Sequence, residues 1–279
     1  MTLLRQLDSP LLQRALVEAV LIGALCGAVG VHVLLRRLSF FTLALSHATL
    51  PGVVVASLIG VSLFLGGAVS ALALVVAVGV VGSARRLDSS TATGVVLAAA
   101  FSLGVLLQSA QSGASRDLTA FLVGDVLTVS VADLVTTAAV GVAVALILGA
   151  FHKELVFSAF DPEGASAAGF STLRLDLAVL AAVALTVVMS VPAVGTILVV
   201  ALLVTPALTA RLWVDRIAPM MALAAALGAT AGAAGIAASA QWGIAAGAAI
   251  VLAATSMLAV SMLAVGARSV LARSQAFSG

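Results

Sequence analysis

The chain has 279 residues, of which 63% are apolar and only 9% charged, and its formal net charge is +2. A soluble domain carries about 25% charged residues, so this composition excludes a water-soluble globular protein. The few basic residues stand at the ends of apolar runs, a topology signal that does not make a nucleic-acid-binding patch.

Acidic and basic residues are absent from 38–84, 177–210 and 217–267. A spanning helix needs roughly 20 apolar residues, and the last of these runs is long enough for two spans and a turn. The runs are continuous and rich in Ala and Leu, without the alternation of a transmembrane β-strand. The expected fold is therefore all-α, a polytopic integral membrane bundle of about eight to nine helices. It forms a single transmembrane domain over 1–279. The single cysteine, Cys26, excludes an intrachain disulfide.

The spacing predicts spans near 14–35, 40–60, 63–82, 91–110, 131–151, 175–191, 195–212, 218–237 and 243–266. The first is longer than a signal-peptide core and reads as a retained span. Its Gly23, Gly27 and Gly30 recur at helical spacing and read as a packing face. Glu18 lies one turn after Arg14, a spacing that suits a self-neutralising pair near the membrane surface. His32 falls near the cytoplasmic end of this span; it is a metal candidate if it meets His47 or lines the exit, and otherwise packs at the interface.

The second span holds the most informative segment, S-F-F-T-L-A-L-S-H-A-T-L-P-G, Ser39 to Gly52. An ionisable side chain in hydrocarbon is costly unless it faces a cavity, a partner or a pathway. His47 is therefore a candidate pathway residue and metal ligand; the alternative is a packing histidine hydrogen-bonded to a neighbouring helix. Pro51 and Gly52 follow one turn later and predict a kinked or broken helix, a hinge that frees carbonyls near His47.

Arg36 and Arg37 follow the first span, Arg85 and Arg86 the third, and Lys153 the fifth; Arg211 and Arg216 bracket the turn after the seventh. These loops alternate with turns near Gly60, Pro192 and Gln241 that carry no Lys or Arg. The basic loops and the C-terminus are thereby placed in the cytoplasm, and nine spans put the N-terminus outside. Asp125 and Asp133 then fall on the external side. Asp125 either attracts cations at the outer mouth or caps the next helix, and Asp133 reads as a helix-start residue.

The longest polar loop, about 152–174, is too short for an independent core. Within it Asp161 is placed to cap a short helix that starts at Pro162, with Glu163 in its first turn and Gly169 ending it. Ala165 and Ala168 supply the small surface of a docking element; the alternative is a plain connecting helix. Pro206, beside Thr205 in the seventh span, marks a possible flexing point. No G-x-x-x-x-G-K-[ST] phosphate loop occurs, so any nucleotide-driven motor is another chain.

Three of these segments together resemble the permease subunit of the ABC importers for manganese, zinc and iron. They are L-L-R-R-L-S-F-F-T-L-A-L-S-H-A-T-L-P-G (Leu34 to Gly52), F-D-P-E-G-A-S-A-A-G (Phe160 to Gly169) and V-G-T-I-L-V-V-A-L-L-V-T-P-A-L-T-A-R-L (Val194 to Leu212). Their order and spacing follow the family across most of the chain. The resemblance implies a non-catalytic subunit of a bacterial plasma-membrane importer, working as a homodimer in the lipid bilayer. It implies a separate ABC ATPase docked on the Asp161–Gly169 helix and an extracytoplasmic metal-binding protein that delivers zinc or manganese as substrate. No cofactor is implied for this chain.

The family has G-D-A-L-S-H-A where this chain has Thr42-Leu43-Ala44-Leu45-Ser46-His47-Ala48, so the carboxylate one turn before the histidine is absent. Loss of that oxygen ligand tilts the softness argument towards zinc, which imidazole suits. The alternatives are a permease for a metal chelate of the siderophore or cobalamin type, and a secondary transporter driven by an ion gradient. The latter should carry a paired carboxylate within the spans, and none is evident.

Overall fold

Glycines set the closest approach in the bundle. The first helix, α1 (Pro10–Leu35), lies antiparallel against α10 (Ile217–Trp242) along a stripe of small residues. Ala19 meets Gly232, Gly23 meets Gly228, and Gly27 meets Ala224. Each step of four residues forward on α1 is matched by four backward on α10, the register of two antiparallel helices in contact along one face. A Cβ added at Gly23 would lie 2.2 Å from the Gly228 carbonyl oxygen, and one at Gly27 would lie 2.1 Å from that of Ala224. Gly30 completes the face and abuts the backbone of Leu203 on α9 (Thr196–Arg211). Lipid gives helices no hydrophobic reason to associate, so close backbone packing takes that role.

The computed structural model describes residues 9–85, 89–110, 124 and 126–276. Besides α1, α9 and α10, these form α2 (Ser39–Ile59), α3 (Leu63–Arg85), α4 (Ser89–Ser109), a one-turn 3₁₀ helix (Val126–Thr128) and α5 (Val131–Ala150). The short α6 (His152–Phe160) and α7 (Pro162–Ala167) follow, then α8 (Thr172–Val194) and, after α10, α11 (Ala246–Ala276). No strand occurs among the described residues. Helices α2, α3 and α4 form one group and α1, α9, α10 and α11 another. Helix α8 bridges them, touching α1, α2, α3 and α5.

Among the described residues, eight helices are long and apolar enough to cross a membrane. Helix α9, expected as a ninth span, has 16 residues, which at 1.5 Å per residue is about 24 Å and short of a bilayer core of about 30 Å. The turn before α9, expected near Pro192, falls at Gly195. Helix α8 continues through that proline to Val194, and the chain reverses at Gly195, whose φ of 92° is accessible to glycine. Gly124, also at positive φ, lies directly against this turn, where a Cβ would come within 2.5 Å of the Gly195 nitrogen.

Two further expectations are corrected. Helix α2 does not break at Pro51; it runs unbroken to Ile59. Its neighbours accommodate the proline. Gly104 of α4 leaves room beside the ring, Gly52 meets Gly66 of α3 backbone to backbone, and the Ser70 hydroxyl donates to the Ala48 carbonyl at 2.5 Å. The carbonyl that the proline leaves without an amide is that of His47, one residue before Ala48, so these contacts make room for the ring without supplying the missing donor. Nor does Glu18 pair with Arg14. Arg14 is exposed, whereas Glu18 is 3% exposed and accepts a hydrogen bond from the Thr137 hydroxyl of α5 at 2.7 Å.

Arg268 near the end of α11 lies over the ring of Trp213 in the α9–α10 turn, 4.8 Å from its centroid. A cation over an indole face contributes about 0.5–1 kcal/mol where exposed.

Candidate functional site

His47 and Leu43 are the two partly exposed positions in a stretch of α2 whose other residues, from Phe41 to Pro51, are buried. Four residues apart, they lie on one face, so the absent carboxylate would have stood beside the imidazole. The His47 ring packs edge-on against Phe101 of α4, with centroids 5.6 Å apart and planes at 77°. It is half-buried, with an aromatic neighbour against it.

The other sequence candidates are dispersed. His32 is 1% exposed, and neither of its ring nitrogens has a hydrogen-bond partner. Asp125 lies outside the described residues. Asp133 caps α5: Ser130 and Asp133 form a reciprocal capping box, each accepting from the other's backbone amide. Among the described residues, no group of three or more His, Cys, Asp or Glu side chains is placed to hold a metal ion.

The loop segment has the local structure its sequence predicts. Asp161 accepts from the Gly164 amide at 2.8 Å, Pro162 is the first residue of α7, and Gly169 ends the segment at φ 88°. Ala165 is fully buried, while Asp161, Pro162, Glu163, Ala168 and Gly169 are exposed. Phe157 and Phe170 bracket α7 and meet edge to face at 6.3 Å. The exposed surface of this end is thus both acidic and aromatic, with Phe160 65% exposed.

The cap dominates a helix this short, because six residues supply little propagation energy. Asp161→Ala is expected to cost about 1 kcal/mol locally, raising amide exchange at Gly164 and Ala165 about fivefold. Hydrogen exchange read by mass spectrometry checks this, with peptides from α10 as the unchanged control.

Arg36 is the residue that sequence reasoning missed. It caps the end of α1 one turn before α2 begins, and it reads as a topology signal. The structure gives it more to do. Its guanidinium forms a salt bridge with Asp176 of α8. It also donates to the Ser158 hydroxyl at 2.7 Å and to the Leu155 carbonyl at 3.5 Å, both on α6. One side chain thereby joins the corner leading to the His47 helix to the two helices flanking α7. A cavity of about 680 Å³ opens beside it, lined by Arg36, Arg37, Phe41, Ser158, Pro162 and Asp176 among others.

Comparison with known proteins agrees with this architecture. The family model described as "ABC 3 transport family" matches residues 8–265. The manganese transport system membrane protein MntC of Halalkalibacterium halodurans is 38% identical over 262 residues, covering 94% of this chain and 90% of that protein. The zinc transport system membrane protein TroC of Treponema pallidum is 35% identical over 248 residues, covering 86% and 83%. The solved structure of PsaBC from Streptococcus pneumoniae in complex with Fab has 33% identity and a TM-score of 0.86. The match covers 93% of this chain and 94% of that one.

Proposed function

The chain belongs to the ABC 3 transport family, a multi-pass permease of the bacterial cell membrane, and on that premise we propose that it carries manganese or zinc inward as one half of a homodimer. The observation that carries the reading is the likeness to manganese and zinc permeases along nearly the whole chain, including the His47 segment.

In this reading the cation passes along the α2 face that bears His47. An imidazole nitrogen suits either ion, zinc more than manganese, and Phe101 fixes the ring plane. The partner copy brings a second His47 to the same pathway, which offsets the poverty of one ligand per chain. An extracytoplasmic binding protein delivers the ion, and two ATPase subunits seat on the exposed residues of the Asp161–Gly169 segment, with Glu163 and Ala168 towards the motor. Ala165, which is buried, anchors α7 to the transmembrane body. ATP drives transport only through contacts that differ between the inward- and outward-facing states. Pro51 and Pro206 are the points where α2 and α9 flex, since the carbonyls four residues before each lack an amide to receive.

Reconstituted with its ATPase in proteoliposomes, the permease is expected to take up Mn²⁺ or Zn²⁺ only when ATP is present. His47→Ala should lower that uptake by at least about tenfold, the loss expected for removing a metal-handling side chain. Uptake that is independent of ATP, or unchanged in His47→Ala, overturns the reading.

A further inference from the structure

A second polar site lies inside the protomer, away from the His47 face. A cavity of about 430 Å³ is lined by Glu18 of α1, Thr49 of α2, Asp133, Thr136 and Thr137 of α5, and Met189 of α8, among others. Glu18 is 3% exposed. One carboxylate oxygen accepts from the Thr137 hydroxyl at 2.7 Å, and the other is buried with no hydrogen-bond partner. Among the described residues it forms no salt bridge. A buried carboxylate oxygen without a partner is costly in any low-dielectric setting, and in a membrane span such a group marks a function by default.

The other cavity residues place it. Ser62 precedes and Leu63 begins α3, Thr128 and Asp133 precede or begin α5, and Pro192 and Ala193 lie in the last turn of α8. All of these helix ends are opposite the basic loops, so the cavity opens towards the extracytoplasmic face. Asp133 is engaged by Ser130 through its capping box, yet its charge adds to the negative field at the mouth. Carboxylate, hydroxyl and thioether groups together form a donor set with no cationic side chain among the lining residues.

We propose that Glu18 is the central ligand of a cation-binding subsite in each protomer, where the transported divalent metal ion is held before it reaches the pathway at His47. The unpaired oxygen of Glu18 takes the ion, Asp133 draws it in from the outer mouth, and the hydroxyls of Thr49 and Thr137 and the Met189 sulfur complete its surroundings. This inference rests on the metal-import reading above, and its test is made on the permease alone so that the two fail separately.

The test is titration of the purified full-length permease in detergent with Mn²⁺ alone, then Zn²⁺ alone, followed by calorimetry. Glu18→Gln keeps an oxygen for Thr137 and changes little volume. It is expected to weaken binding by at least about tenfold while leaving the unfolding midpoint in place. On the wild-type protein, Mn²⁺ should also protect Glu18 from modification by dicyclohexylcarbodiimide, which keeps the proposal testable where the variant fails to fold. Equal affinity in Glu18→Gln, no binding of either ion to the wild type, or labelling of Glu18 unaffected by saturating metal each overturn it. Failure of the wild-type complex to transport either ion would instead overturn the import reading.

Discussion

Gly27→Leu is expected to abolish accumulation of folded protein in the membrane, whereas Gly141→Ala leaves it unchanged. Both residues are helix-interior glycines, and the difference between them is in what a side chain would meet. At Gly27 even a Cβ would lie 2.1 Å from the backbone oxygen of Ala224, and at Gly141 nothing lies within 4 Å. A flexible side chain can move aside for a methyl group; a helical carbonyl cannot without moving its helix. Overpacking in an interior costs about 1–3 kcal/mol where neighbours can adjust. Here α1 and α10 would have to separate along the whole stripe, losing the Gly23–Gly228 and Ala19–Gly232 contacts as well. That cost exceeds about 3 kcal/mol, a large share of a net stability of roughly 5–15 kcal/mol. At Gly141 the higher helix propensity of alanine works in the other direction, by about 1 kcal/mol. Fluorescence-detected size exclusion of the two variants decides the matter. A monodisperse Gly27→Leu protein at wild-type level would show that the stripe is not what holds α1 to α10.

That stripe also shows how far the sequence could be read. Gly23, Gly27 and Gly30 announce a packing face because their spacing is helical and local. Gly23 and Gly27 meet Gly228 and Ala224 of α10, and Gly30 meets Leu203 of α9, but nothing in the sequence says which of several Gly- and Ala-rich helices receives each of them. The Asp161 cap was legible for the same reason of locality: acceptor, proline and terminating glycine fall within nine residues. Glu18 reads as a partner of Arg14 because that residue stands one turn away along the chain, whereas its hydrogen-bond partner, Thr137, is 119 residues away. Pro51 predicts a kink or a break because an isolated helix would be disturbed there. The neighbours that pack around it, Gly66, Ser70 and Gly104, sit on two other helices. Composition and local spacing set the helices and their caps. The inward or outward sense of a polar side chain is decided by tertiary packing.

The expected effect of Arg36→Ala is loss of transport without a matching loss of ATP hydrolysis in the reconstituted complex. Arg36 links the α1–α2 corner to α6 and α8, the helices on either side of α7, which the proposed function assigns to the motor. Magnitudes say which bonds matter. Asp176 is 55% exposed, so the ion pair itself contributes no more than about 1 kcal/mol after solvent screening. The donations to Ser158 and Leu155 come from a guanidinium whose side chain is only 12% exposed. Hydrogen bonds from a charged donor in that setting contribute about 1.5–3 kcal/mol. Arg36→Ala and Ser158→Ala should therefore uncouple more than Asp176→Asn does. Arg36→Lys should fall between them, because an ammonium cannot reproduce the fork that reaches α6 and α8 together. The ratio of ions moved to ATP hydrolysed is the informative readout. A purely structural residue would lower both rates in step and leave the ratio alone, whereas a residue that transmits movement from α7 to the His47 helix lowers the ratio itself. If Arg36→Ala transports and hydrolyses in wild-type proportion, the force between motor and pathway travels by another route, through the direct contact of α7 with α8.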